Sequence, residues 1–483
     1  MVVVFGILIA LKLSVLLVLG PIHTPDSAGY AQFANLIVTT RDWMVNEHLD
    51  WDMSLAGGEP KTIFRAIGYP LLLALAKTIS PDNWDWLIVF VQIPLSLVAT
   101  VYVYRLAHQL TKSLYAALFI AFAQGSSQAL LMDQCILTDS LNASLLLIML
   151  CHVGLAILNN RRPSWLEAAT LGGLVMIAFL LREAGTYLQI LYWPIILYWA
   201  VRTMDNKMQA VALVVVFAIP MTIGIQGYKS WNEMRTGERF VTVGGSSAMF
   251  FPSIYLEQRG ISIFADDPLL SDMGPLPNMS STVGIIRRTV ITHLLQAHDF
   301  NMVDIARYGM SNFLNIWLKH PVDMSILTLS HIREKQAMQA FMPIQSVDRT
   351  VTWATGQSAF PAKNQLWTNV KEHHRIDQLL MVAGRSISKI VSIVISAAFV
   401  FGVPIVMIRS FSTARFRLSA YDPATVLMTL YWLVYLGYTF IYAMIHLEMR
   451  YLMPVTPLSI IIGVTLITAI GRKHLSSKLY SEA

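Results

Sequence analysis

The stretch VVVFGILIALKLSVLLVLG, residues 2–20, followed by Pro21-Ile22-His23-Thr24-Pro25-Asp26-Ser27-Ala28-Gly29-Tyr30, decides how the chain is read. Its first part is apolar apart from Lys12 and Ser14, and matches the ~20 residues that carry a helix across a bilayer. No small-residue cleavage site stands out before Pro21, so the segment reads as a retained first span. The second part opens a different kind of helix. Thr24 is the expected N-cap and Pro25 the first helical residue, where a missing N–H costs nothing. Tyr30, Phe33, Ala34, Ile37 and Val38 then repeat at helical spacing, one apolar stripe suited to lying on a membrane surface. Asp26 falls in the first turn, where an acid complements the helix dipole. The same loop closes on Phe64-Arg65-Ala66-Ile67-Gly68-Tyr69-Pro70.

Composition extends the membrane reading to the whole chain. Of 483 residues 55% are hydrophobic and only 13% charged, with a mean hydropathy of +0.55, whereas soluble chains are about a quarter charged. The net charge of +6 does not point to nucleic acid, because the basic residues flank apolar runs and form no stripe. Cys135 and Cys151, the only cysteines, offer neither a disulfide framework nor metal-ligand spacing.

The expected fold class is an all-α polytopic membrane protein of about ten transmembrane helices. After Val2–Gly20 the spans are Trp86–Ala107, Leu114–Met132, Leu141–Leu158, Leu166–Leu181, Tyr187–Val201, Met208–Gly227, Ile387–Ile408, Ala424–Ile445 and Leu452–Ile470. Basic residues mark alternate loops: Arg105 and Lys112, Arg161-Arg162, Arg202 and Lys207, Arg409 with Arg415 and Arg417, and Arg472-Lys473. The positive-inside rule makes those loops cytoplasmic. Both termini are then inside, and the first loop (residues 21–85), the segment 228–385 and three short turns are outside.

This divides the chain into a membrane domain (1–227), an extracytoplasmic domain (228–385) between the seventh and eighth helices, and C-terminal membrane helices with a short basic tail (386–483). The middle domain reads as small and mixed. Glu238–Gly244 alternates like a short strand, while Ser281–His298 and Asn301–His320 carry helical stripes. Asp266-Asp267-Pro268 and Gly274-Pro275-Leu276-Pro277 mark turns, and Asn278-Met279-Ser280 fits a glycosylation sequon.

The unusual charges outside the inner loops all fall on one face: Asp26, Arg65, Asp133, Asp139, Arg182, Glu183, His446, Glu448 and Arg450. Ionisable groups at helix ends in a membrane are costly, so their recurrence in three tight turns points to a site. Taken singly, each could serve only to make a polar turn.

The arrangement resembles the GT-C class of membrane glycosyltransferases, in particular the protein O-mannosyltransferase and lipid A aminoarabinose transferase group. Pro25-Asp26-Ser27 with Tyr30 looks like that group's first-loop acidic motif. Phe64-Arg65-Ala66-Ile67-Gly68-Tyr69-Pro70-Leu71 looks like its Arg-x-x-Gly-Tyr-Pro-Leu segment. Thr138-Asp139-Ser140-Leu141 falls where it places a second acid, and His446-Leu447-Glu448-Met449-Arg450-Tyr451-Leu452-Met453-Pro454 looks like its late Arg-Tyr-x-x-Pro turn. Two departures stand out: Ser27 replaces the second acid of an Asp-Glu pair, and no soluble domain follows Gly471.

The resemblance implies a multi-pass plasma-membrane enzyme, of bacterial inner-membrane type, with its active site outside. It would take a sugar from a polyprenyl-phosphate carrier to a hydroxyl acceptor in the cell envelope, with membrane lipids and no nucleic acid as further partners. A divalent cation is kept open as cofactor. Such chemistry needs an in-line hydroxyl and neutralisation of the departing phosphate. Asp26 is the expected catalytic carboxylate, held at low pKa by its helix N-terminus. Asp139 orients the acceptor, holds an arginine or shares a cation, in that order. Arg65, Arg182 and Arg450 suit phosphate, because guanidinium forks match its oxygens. Tyr69, Glu183, His446, Glu448 and Tyr451 complete the expected substrate site. The alternative is a transporter or flippase of a lipid-linked saccharide, although its acids should lie nearer the midplane between paired broken helices. A third reading is an envelope polymerase or ligase using the same carrier.

Overall fold

The structure, a computed structural model, describes residues 1–40, 62–183, 188–273, 283–334, 339–358, 363–372, 376–414 and 422–481. Tyr187, the Gly274–Pro277 turn cluster, the sequon at Asn278 and the basic Arg415 and Arg417 lie outside the described residues.

Among the described residues the fold is helical throughout. Seven helices are long and apolar enough to cross a membrane: Val2–Leu19, Trp84–Thr111, Leu114–Met132, Asp139–Leu158, Lys207–Thr236, Ile376–Ser410 and Pro423–Ile445. Each answers to one of the ten expected spans. The other three are shorter: Trp165–Leu181, Trp193–Thr203 and the apolar part of the last helix, Thr456–Arg472. Seven full-length spans make this a membrane-embedded, polytopic protein.

Between the long helices Lys207–Thr236 and Ile376–Ala414 the described residues form helices, including Val283–Ala297 and Met302–Lys319. The two expected helices are present, the second capped by Asn301, whose side chain accepts from the N–H groups of Val303 and Asp304. The expected mixed character is corrected. Glu238–Gly244 is no strand, because among the described residues no neighbouring strand pairs with it. Instead Asn232 donates to the carbonyls of Phe240 and Val241 at 2.9 and 2.7 Å. The segment has its own core of Val243, Ile286, Val290, Leu294 and Val303, into which Ile63 and Phe64 of the first loop also pack.

Three features bring the N-terminal loop to the place where it matters. Thr24 caps Pro25–Thr39 with a reciprocal capping box to Ser27, so the surface helix starts where the sequence requires. Just before it, Ile22 forms an isolated parallel bridge with Cys135. Its N–H donates to the Gln134 carbonyl at 2.8 Å, and its carbonyl accepts from Ile136 at 2.9 Å. The Ser27 hydroxyl adds a bond to the Ile136 carbonyl at 2.9 Å. Asp26 is thereby tied to the turn that leads into Asp139. At the far end of the loop, a Cβ on Gly68 would lie 2.6 Å from the Leu180 carbonyl oxygen, so only glycine lets the Arg65 turn pack against the helix end that carries Arg182.

Candidate functional site

Asp26, Arg65, Asp139, Arg182, Glu183, His446, Glu448, Arg450 and Tyr451 all line one cavity of ≈ 320 Å³. It is walled by the ends of the membrane helices on one side and by Val241–Phe251 and Arg287 on the other. Gly244 shapes that second wall, since a Cβ there would meet the Phe64 carbonyl oxygen at 2.4 Å. Tyr30, Phe64, Phe251, Tyr442 and Tyr451 give the cavity aromatic faces.

Inside, the charges form one connected array. Arg65 and Arg450 hold the two oxygens of Asp26 at 3.0 and 2.8 Å. Arg450 also donates through Nε to Glu448 at 2.6 Å. Glu448 accepts from His446 Nε2 at 3.1 Å, and the other ring nitrogen, Nδ1, lies 2.6 Å from the Tyr255 hydroxyl. A carboxylate can only accept, so Nε2 carries a proton. Arg182 pairs with Asp139. Of the three roles expected for Asp139, the geometry gives the arginine-holding one. The guanidinium groups lie over aromatic rings as well: Arg65 over Tyr30 at 5.0 Å and Arg182 over Tyr451 at 4.7 Å, contacts that orient a cation without spending its hydrogen-bond donors.

Partial burial pushes the Asp26 carboxyl up, but the charges of Arg65 and Arg450 outweigh it and hold the group at about 2. The arginine charges act in the same direction as the helix N-terminus expected from sequence. Glu448 behaves alike: burial raises it, while the His446 hydrogen bond and the Arg450 charge bring it to about 2. Burial and then the Glu448 charge push Tyr255 up to about 12, so its hydroxyl keeps its proton.

Two expected members stand elsewhere. Tyr69 is fully buried behind the cavity wall, its ring edge-on to Tyr30 at 5.1 Å and its hydroxyl donating to Gln92 at 3.2 Å. Gln92 in turn donates to the carbonyls of Asp133 and Cys135, so Tyr69 braces the turn and does not line the cavity. Asp133, grouped with the common face from sequence, is sealed inside with Lys12 and Ser140. Conversely, Tyr255, Phe251, Arg287 and Tyr442 belong to the site and escaped the sequence reading. Tyr442 sits one helical turn before His446, a spacing that could have found it; Arg287 lies in an ordinary amphipathic helix that carries no such signal.

Fold and site together define a helical membrane protein with an arginine- and carboxylate-lined cavity at the ends of its spans. No family model and no curated protein matches the chain. Among solved structures it is similar to a crystal structure of ArnT from Cupriavidus metallidurans bound to undecaprenyl phosphate. The two are 12% identical over 96% of this chain and 77% of that one, with a TM-score of 0.32.

Proposed function

We propose that the protein is a membrane glycosyltransferase that moves a sugar from a polyprenyl-phosphate carrier to a hydroxyl acceptor. The observation that carries this reading is the meeting of Arg65, Arg182 and Arg450, from three turns far apart in sequence, in one cavity with Asp26 and Asp139. The sequence motifs that resemble the GT-C group supply four of these five residues, and Arg182 stands outside them.

In the reaction, an acceptor oxygen forms a bond to the sugar's anomeric carbon while the bond from that carbon to phosphate oxygen breaks. The electron pair leaves with the phosphate, and arginine N–H groups neutralise it. At a pKa near 2, Asp26 is too weak a base to hold the hydroxyl proton, so it orients the acceptor and the proton ends on the phosphate, whose second pKa is about 6.

Four arginines and four carboxylates line the cavity, so it is near neutral before an anionic donor enters. Whether a divalent cation adds positive charge there is checked by loss of activity in chelator, restored by Mg²⁺ or Mn²⁺. The site belongs on the extracytoplasmic face by the distribution of basic loops. A cysteine in place of exposed Ser271 should then react with an impermeant reagent added to intact cells, and labelling only after lysis reverses the topology. The decisive experiment incubates purified protein with radiolabelled polyprenyl-phosphate sugar. Release of free polyprenyl phosphate, dependent on acceptor, supports the reading; binding without release favours a lipid-linked saccharide transporter.

A further inference from the structure

Asp272, His293 and His298 lie away from the cavity, and their ligand atoms all fall within 4.8 Å of one another. From this convergence we infer a second site, one that binds a divalent transition-metal ion of Zn²⁺ type. The inference is independent of the reaction proposed above.

The fold brings these residues together from two elements. Helix Val283–Ala297 buries Ile286, Val290, Ile291 and Leu294 in the satellite core, which leaves His293 on the helix flank. The helix stops before His298, and Asp299 then takes a left-handed φ of 53° that turns the chain back. On the other side, buried Leu270 anchors the turn that presents Asp272. His293 Nε2 lies 3.0 Å from Asp272 Oδ1, and His298 Nε2 lies 2.9 Å from the Leu269 carbonyl oxygen. The two rings are edge to face, 5.5 Å apart.

Two imidazole nitrogens, one carboxylate and an adjacent carbonyl oxygen are a donor set for a borderline ion such as Zn²⁺. Zn–N and Zn–O bonds of about 2.0–2.2 Å put tetrahedral ligand atoms roughly 3.3–3.5 Å apart. Closing from 4.8 Å asks for a movement of about an ångström, which Asp272, 62% exposed at its side chain, can make by rotating. Without metal, each Nε2 donates its proton to an oxygen. On binding, that proton moves to Nδ1, the nitrogen lone pair meets the ion, and the same oxygens face a cation instead of an N–H. Two unrelated hydrogen bonds explain each histidine separately, but they give no reason for all three ligand atoms to converge. The ion would staple the 267–273 turn to the helix that carries Arg287 into the cavity wall, a structural role.

The test uses the full chain, purified in detergent with a tag free of histidine, stripped with chelator and titrated with Zn²⁺ alone. One ion per chain by elemental analysis is expected, with Co²⁺ giving visible absorption in the tetrahedral range. His293→Ala and His298→Ala should each weaken Zn²⁺ binding by about a hundredfold or more. Because an alanine at the flank of this core could also unfold the segment, His293→Asn and Asp272→Asn, which keep a polar partner, should weaken it too while the protein melts as wild type does. Sub-stoichiometric zinc, or stoichiometric zinc that all four variants retain, overturns the proposal.

Discussion

Asp133 and Asp139 stand six positions apart in one turn, and each is held by one cation. The Lys12–Asp133 pair is fully sealed, with no exposure on either side chain. Ser140 donates to the same carboxylate, and Gln134 donates to the Lys12 backbone carbonyl. Every strong partner is internal, and the pair pins the first span to the turn. Asp139, equally buried, faces the cavity through Arg182, which keeps some exposure. One pair is a sealed strut and the other lines the cavity. Burial of a charge therefore does not by itself separate the two; the exposure of its partner to a cavity does.

The largest expected effect lies at the strut. Lys12→Met leaves a carboxylate buried without its cation, and should cost about 3–5 kcal/mol of stability, read as a lowered melting temperature or loss of folded protein. Adding Asp133→Asn keeps the Ser140 hydrogen bond and removes the stranded charge, so the double variant should recover most of the loss. Should Lys12→Met alone melt like wild type, the contrast between the two pairs collapses.

At the cavity the effect moves from stability to rate. Asp26→Asn should lower turnover by about a hundredfold or more with the protein still folded and at most a modest drop in melting temperature, because it removes a charge that positions the nucleophile. Activity within about threefold of wild type, roughly 0.65 kcal/mol, takes Asp26 out of the chemistry.

A smaller change sharpens the role of the arginines. Lysine keeps the charge of Arg65 or Arg450 but loses the second prong of a bidentate contact. Arg65→Lys and Arg450→Lys should raise the apparent donor KM and lower kcat/KM by about ten- to a hundredfold, with the protein still stably inserted. Wild-type donor kinetics in both would make them membrane anchors that snorkel to the headgroups.

The smallest effect is on acid stability. The folded Asp26 and Glu448 carboxyls sit at about 2, below unfolded values of about 3.9 and 4.3. A depressed carboxyl adds stability that is complete above the unfolded pKa and disappears as pH falls through the folded one. The melting temperature should therefore hold down to about pH 5 and decline from there toward about pH 2. Asp26→Asn should flatten part of the decline. Both side chains are about a third exposed, so solvent screening keeps the contribution modest. An unchanged acid profile in the variant would mean that Arg65 and Arg450 stabilise Asp26 little.

By itself the sequence determined whatever depends on local periodicity and capping. The seven full-length spans, the Thr24 cap and the helix starting at Pro25 follow from runs, stripes and side chains that act within a few residues. The placing of nine charged or aromatic site residues at helix ends was legible for the same reason. Only the tertiary structure decided which of them meet. Arg450 reaches Asp26 across 424 positions and Lys12 reaches Asp133 across 121, and no local pattern encodes such pairings. Nothing in the Asp133–Ser140 turn says that one acid points into a sealed interior and the other toward a cavity. The alternation of Glu238–Gly244 promised a strand, yet a strand needs a neighbour to satisfy its backbone, and the packing supplied Asn232 instead. Close approaches at Gly68 and Gly244 set the distances on which the array depends, because charges pair over a few ångströms and packing alone brings distant turns that near.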